Sequence, residues 1–225
     1  MQNTESRFVQ FVVFRLDRAW FLLDESTRKN QKEGFIKEFS GSGSVRAYSY
    51  LVRGLEPKAD MMLWLSCNDA DESQEFVTRL LRTRLGAYLE VVASLISVTD
   101  SSEYVRSHDA QSQSLNSEQR SKYLIVYPFT KTPEWYLLGH EERGEMMKEH
   151  AQIGRGFGSV RQILGYSFGF DDQEFVVAYE ADSIREYKEL VRSLRGIRVR
   201  KYTLRETPVF LGVYRAMPQI MEMLG

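Results

Sequence analysis

Two short segments decide the fold: Trp135-Tyr136-Leu137-Leu138 and Gly158-Ser159-Val160-Arg161. Both occur once before, in the same order and 115 residues earlier, as Trp20-Phe21-Leu22-Leu23 and Gly43-Ser44-Val45-Arg46. Arg28 meets Arg143 and Gly54 meets Gly169 in the same register, which holds without a gap over roughly 55 residues. Self-similarity of this length marks a duplication.

Working outward from these segments, each copy has one order of elements. An apolar run (Phe8 to Phe14; Tyr123 to Phe129) predicts a strand. A helical stretch follows over 24–39 or 140–154, the second with Met146, Met147, His150 and Ile153 on one face. Strands are expected over 44–52 and 61–66, or 159–168 and 174–180, with turns at Gly54 and Gly169. A second helix (71–85; 183–195) precedes a final strand (88–98; 198–205, extended by 209–214). The order β-α-β-β-α-β is ferredoxin-like, so the fold class is α+β with two such units. The expected division is 1–100, a polar Ser/Gln linker over 101–121, and 122–225, with the sheets of the two halves able to cover one another.

The chain of 225 residues carries 30 Lys plus Arg against 31 Asp plus Glu, so a basic footprint for nucleic acid is absent. The single Cys67 excludes a disulfide framework and a cysteine-built cluster. No apolar run is long enough for a membrane span, and the polar start lacks a signal-peptide core, which together read as cytoplasmic.

The copies disagree at informative places. Val12 corresponds to Tyr127, Leu16 to Lys131, Phe35 to His150 and Ala47 to Gln162. A polar group placed where its twin is apolar costs free energy unless it is satisfied, so these four exchanges point to a polar-lined pocket in the C-terminal half. His150 reads either as a hydrogen-bonded core histidine or as a metal or haem ligand through a neutral ring nitrogen. His108 falls in the linker and His140 at a helix start, so a three-histidine metal site is poorly supported. Tyr127, Phe129 and Lys131 alternate along one strand and share a face, and Pro128 suggests that the strand lies at an edge or ends there. Lys131 reads as a surface lysine or as a point charge for a carboxylate. GRGFGS at 154–159 follows a helix and lacks a Gly-Lys pair, so it is no nucleotide loop. HEER at 140–143 lacks a second histidine, and Asp171-Asp172 reads as a turn. Arg161 and Gln162 are strand neighbours and should point to opposite faces.

YPFTK (127–131), WYLL (135–138), EERGEMMKEHAQIGR (141–155), VRQ (160–162) and GFDDQEF (169–175) resemble the chlorite dismutase superfamily, and within it the coproheme decarboxylase branch. The resemblance is densest over 123–214. It implies a dimeric α+β barrel, a homopentamer, and haem or iron-coproporphyrin in the C-terminal half with His150 as the axial ligand. It implies Gln162 at the distal position, where chlorite dismutases have arginine, Tyr127 as the tyrosine that oxidises a propionate, and Lys131 beside that propionate. Lys201 is the nearest match to a late basic residue that touches the cofactor, whereas the segment in which related decarboxylases carry a propionate-assisting arginine is here the Ser/Gln linker, with Arg120 the nearest arginine. The implied reaction converts two propionates of iron-coproporphyrin to vinyls with hydrogen peroxide. A chlorite-degrading enzyme and a non-catalytic haem carrier are the alternatives on the same scaffold.

Overall fold

The computed structural model describes residues 6–100, 115, 117, 119–171 and 173–225. Most of the Ser/Gln segment with His108, and Asp172, lie outside the described residues. Two compact units emerge, one of Ser6–Ile96 with Leu211–Gly225 and one of Ser97–Phe210.

The first unit runs β1 (Arg7–Leu16), α1 (Glu25–Ser40), β2 (Arg46–Leu51), β3 (Met61–Cys67), α2 (Ala70–Arg82) and β4 (Leu89–Thr99). Its strand order is β4-β1-β3-β2, the ferredoxin-like arrangement. Alternation along β1 sends Val12, Phe14 and Leu16 to the helix side, where they meet Phe35 of α1 and Phe76 and Leu80 of α2. Asp24 caps α1 by accepting from the Thr27 amide at 2.9 Å, and Asp69 caps α2 through the Ala70 amide.

The second unit repeats the plan with β5 (Tyr123–Lys131), α3 (Pro133–Leu137), α4 (His140–Arg155), β6 (Arg161–Asp171), β7 (Gln173–Ala181), α5 (Ile184–Leu194) and β8 (Thr203–Arg205). The order β8-β5-β7-β6 matches the first unit position for position. The hairpin turns at Gly54 and Gly169 have φ of +84° and +77°, a region where a side chain is strained and glycine is not. After that turn the register of the repeat changes by one. Ala47 pairs with Leu65, whereas Gln162 pairs with Tyr179, an offset of 114. The Trp20–Tyr88 and Trp135–Tyr202 ring pairs, both 5.7 Å apart, carry the new offset to the end of the repeat.

The end of the second unit departs from expectation. The strand expected over 198–205 is a 3-10 helix at Arg198–Tyr202 followed by the three-residue β8. The ladder then stops, and Pro208 has no N–H with which to extend it. The next strand, β9 (Phe210–Tyr214), pairs from its later residues with β2, Leu51 opposite Val213. A helix absent from the sequence reading, α6 (Met217–Met223), places Met217, Ile220 and Met221 in the core around Trp20. Of the two expectations for Pro128, the strand does not end there, because β5 continues past it to Lys131. β8 meets β5 only at Thr130 and Lys131, so Pro128 removes no bond of that pair.

Candidate functional site

Within the second unit, β5, β6, β7, α4, α5 and the 3-10 turn enclose a cavity of about 380 Å³. Strand alternation delivers Tyr127, Phe129 and Lys131 of β5 to it together. α4 contributes Arg143, Met147 and His150, spaced by four and three residues on one helix face. β6 contributes Gln162, Leu164, Tyr166 and Phe168, again at alternate positions.

Arg161 takes the opposite face of β6. Its guanidinium lies 3.2 Å from the Glu180 carboxylate and donates to Ser121 Oγ at 3.3 Å. Arg120 reaches the same carboxylate at 3.3 Å with both side chains fully buried. Arg120 is therefore spent on a buried ion pair outside the cavity lining, and the propionate-assisting role suggested for it has no geometric support. Lys201 is exposed and outside the lining too, while the adjacent Arg200 is within it. The 3-10 turn, in place of the expected strand, changes which residue points inward.

The electrostatics follow from burial. Lys131 is 8% exposed, with its ammonium 4.4 Å from the centre of the Trp135 ring. Burial pushes its pKa down to about 8, against the pull of Glu206 and Glu174 and with the push of Arg200. Burial and the nearby Lys131 charge hold His150 below the usual imidazole range, so its ring is neutral at pH 7. Burial raises Tyr127 far above the ordinary phenol range, and the neighbouring Tyr179 raises it further. The two rings stack with centroids 6.3 Å apart, and Tyr187 follows Tyr179 at 5.4 Å.

The cavity also holds side chains that the sequence reading did not single out: Tyr179, Arg195, Arg200 and Glu206. Comparison of the copies carries the signal for them: the offset of 114 pairs Tyr179 with Leu65, and either offset pairs Arg195 and Glu206 with apolar residues (Leu80 or Leu81; Val91 or Val92). Four cations thus border the space: Lys131, Arg143, Arg195 and Arg200. Among the described residues, no three His, Cys, Asp or Glu side chains come together to hold a metal ion. His150 is the cavity's one imidazole, facing aromatic walls that include the stacked Phe129 and Phe175, 4.5 Å apart. Among the described residues no helix is long and apolar enough to cross a membrane.

The chain resembles known proteins over nearly its whole length. The chain is 32% identical over 211 residues to the coproheme decarboxylase of Mycolicibacterium smegmatis, covering 93% of this chain and 90% of that one. It superposes on a single-residue mutant of chlorite dismutase from Candidatus Nitrospira defluvii with a TM-score of 0.89, at 29% identity over 98% of this chain and 96% of the other. The enzyme of the same organism in complex with imidazole superposes equally well, with a TM-score of 0.89, 28% identity and the same coverage. The chlorite dismutase family pattern matches residues 25–215, so the chain belongs to the chlorite dismutase family.

Proposed function

We propose that the chain is a peroxide-dependent coproheme decarboxylase, which oxidises two propionates of iron-coproporphyrin to vinyls and yields protohaem. The observation that carries this reading is the choice made on β6: Gln162 lines the cavity and Arg161 is turned away to Glu180. A neutral amide offers less to a developing oxyanion than a guanidinium would, which favours decarboxylation over chlorite chemistry on this scaffold.

The donor set fits an iron porphyrin carrying carboxylates. One neutral imidazole, from His150, is available as an axial ligand, and the macrocycle itself supplies the remaining nitrogens. Aromatic side chains of the lining would pack against a bound macrocycle, and Lys131, Arg143, Arg195 and Arg200 would pair with its carboxylates. Bound there, the porphyrin iron supplies the redox chemistry with peroxide. Each propionic acid then loses carbon dioxide and two hydrogens, and one hydrogen peroxide takes up those two hydrogens to give two waters.

The protein's part is to orient and to handle protons. Tyr127 stays a protonated phenol at any working pH, so it can lose an electron only as its proton leaves with it, and the stacked Tyr179 is its nearest phenol neighbour. Lys131, two residues along the same face, is poised near pH 8 to hold a carboxylate and to return a proton. The test is to incubate purified protein with iron-coproporphyrin and peroxide and to identify the porphyrin by mass. Loss of two carbon dioxides per porphyrin is expected, and an unchanged mass would sink the proposal. Tyr127→Phe should still bind the substrate but form product about 100-fold more slowly, the scale of removing a positioned proton-transfer group.

A further inference from the structure

Glu206 is a carboxylate inside a cavity whose other charges are cations. It sits in the gap between β8 and β9, where the fourth strand of the second unit leaves its ladder. The corresponding strand of the first unit, β4, runs unbroken over eleven residues. The gap turns Glu206 inward, where its carboxylate lies 2.5 Å from Arg195 and 3.5 Å from Arg200. Its charge also acts on Tyr127, Lys131 and Tyr179. Arg200 keeps a second bond to the Thr203 carbonyl at 3.0 Å, which holds one guanidinium arm in place whatever the other meets.

We propose that Glu206 competes with ligand carboxylates for the Arg195–Arg200 pair, and so lowers the affinity for carboxylate-bearing ligands while sparing neutral ones. This rests on the porphyrin reading above. The pair is half-exposed, with side-chain exposures of 45%, 36% and 23% for Arg195, Arg200 and Glu206, so its links exchange rather than lock. A ligand carboxylate can take over the guanidinium fork bidentately, which a side chain held at 3.5 Å from one arginine does not achieve. A bound ligand would still face the Glu206 charge, because like charges in a partly desolvated site repel. Glu206 therefore weakens ligands that bring carboxylates to the arginines and leaves a ligand without carboxylates untouched.

The experiment uses metal-free coproporphyrin, which carries four carboxylates and cannot turn over, and its tetramethyl ester, which carries none. Binding is followed by porphyrin fluorescence. Glu206→Gln should bind coproporphyrin about tenfold more tightly, roughly the loss of one like-charge contact. The ester should bind both proteins alike, which also reports that the cavity persists. In an Arg195→Gln background the Glu206→Gln gain should shrink to twofold or less. Weaker or unchanged coproporphyrin binding by Glu206→Gln, or equal tightening of the ester, overturns the competition. Wild-type protein that binds neither porphyrin overturns the porphyrin reading and the competition with it.

Discussion

The two units share a strand order and differ in what lies between sheet and helices. In the first, Val12, Leu16, Phe35 and Leu65 meet in a filled core, each 4% exposed or less. In the second, the matching places hold Tyr127, Lys131, His150 and Tyr179, and the same space is a cavity of about 380 Å³. A second, smaller core survives beside it, in which Trp135 packs on Met146, Ile197 and Val199. Trp135 is the counterpart of Trp20, so the duplicated tryptophan keeps its packing role in both halves while its neighbours change. One copy carries the stability and the other spends part of its core on chemistry.

The largest effects should separate these roles. Phe35→Ala empties a fully buried site and should lower unfolding free energy by about 3–5 kcal/mol in a denaturant titration. His150→Ala, at the matching place beside a cavity, should cost about 1 kcal/mol or less while abolishing the haem Soret shift on titration. Equal destabilisation by the two changes would break the comparison.

Lys131 gives a middle-sized test. Its folded pKa of about 8 lies below the unfolded 10.5, so folding is penalised while the lysine is charged. The sign follows: between pH 8 and 10.5 the unfolded chain binds the extra proton, so this group's contribution to stability rises with pH across that window. Lys131→Met, lacking the charge, should therefore raise stability at pH 7 by about 1–2 kcal/mol. Carboxylate binding by the wild type should fall as pH passes 8, and the variant should show no such step. A porphyrin titration series from pH 6 to 9.5 reads both curves.

The smallest test concerns the 3-10 turn. Arg200→Ala should weaken coproporphyrin binding about tenfold, the scale of one charge-assisted contact, whereas Lys201→Ala should leave it within about twofold. The reverse ranking would return the inward position to Lys201.

Much of the fold was legible because it is written twice. The matched tryptophans, glycines and apolar alternation over the first part of each copy predict the element bounds within three residues, and those of α1 and α4 within one. The polar exchanges at Tyr127, Lys131, His150 and Gln162 identify four residues that the structure brings to one cavity. What sequence reading missed lies after the Gly169 turn, where the register of the repeat changes by one. Arg195 and Glu206 align with the apolar Leu80 and Val91 under the simple shift and with Leu81 and Val92 under the new one, so their contrast with the first copy is written in the sequence either way, but which of them turns inward is set by the 3-10 turn and the gap after β8.

From the sequence alone come the duplicated α+β plan, the unequal chemistry of its halves and the residues that alternate onto one strand face, because these depend on local periodicity and on comparison of like with like. Only the tertiary structure decided that Gln162 and not Arg161 lines the cavity, that Arg120 and Arg161 pair with Glu180, and that Arg200 rather than Lys201 stands in the lining. Each of those choices turns on a partner or a backbone turn brought in from elsewhere in the chain: the buried Glu180 on β7, which captures both arginines, and the 3-10 helix that ends the second unit's ladder.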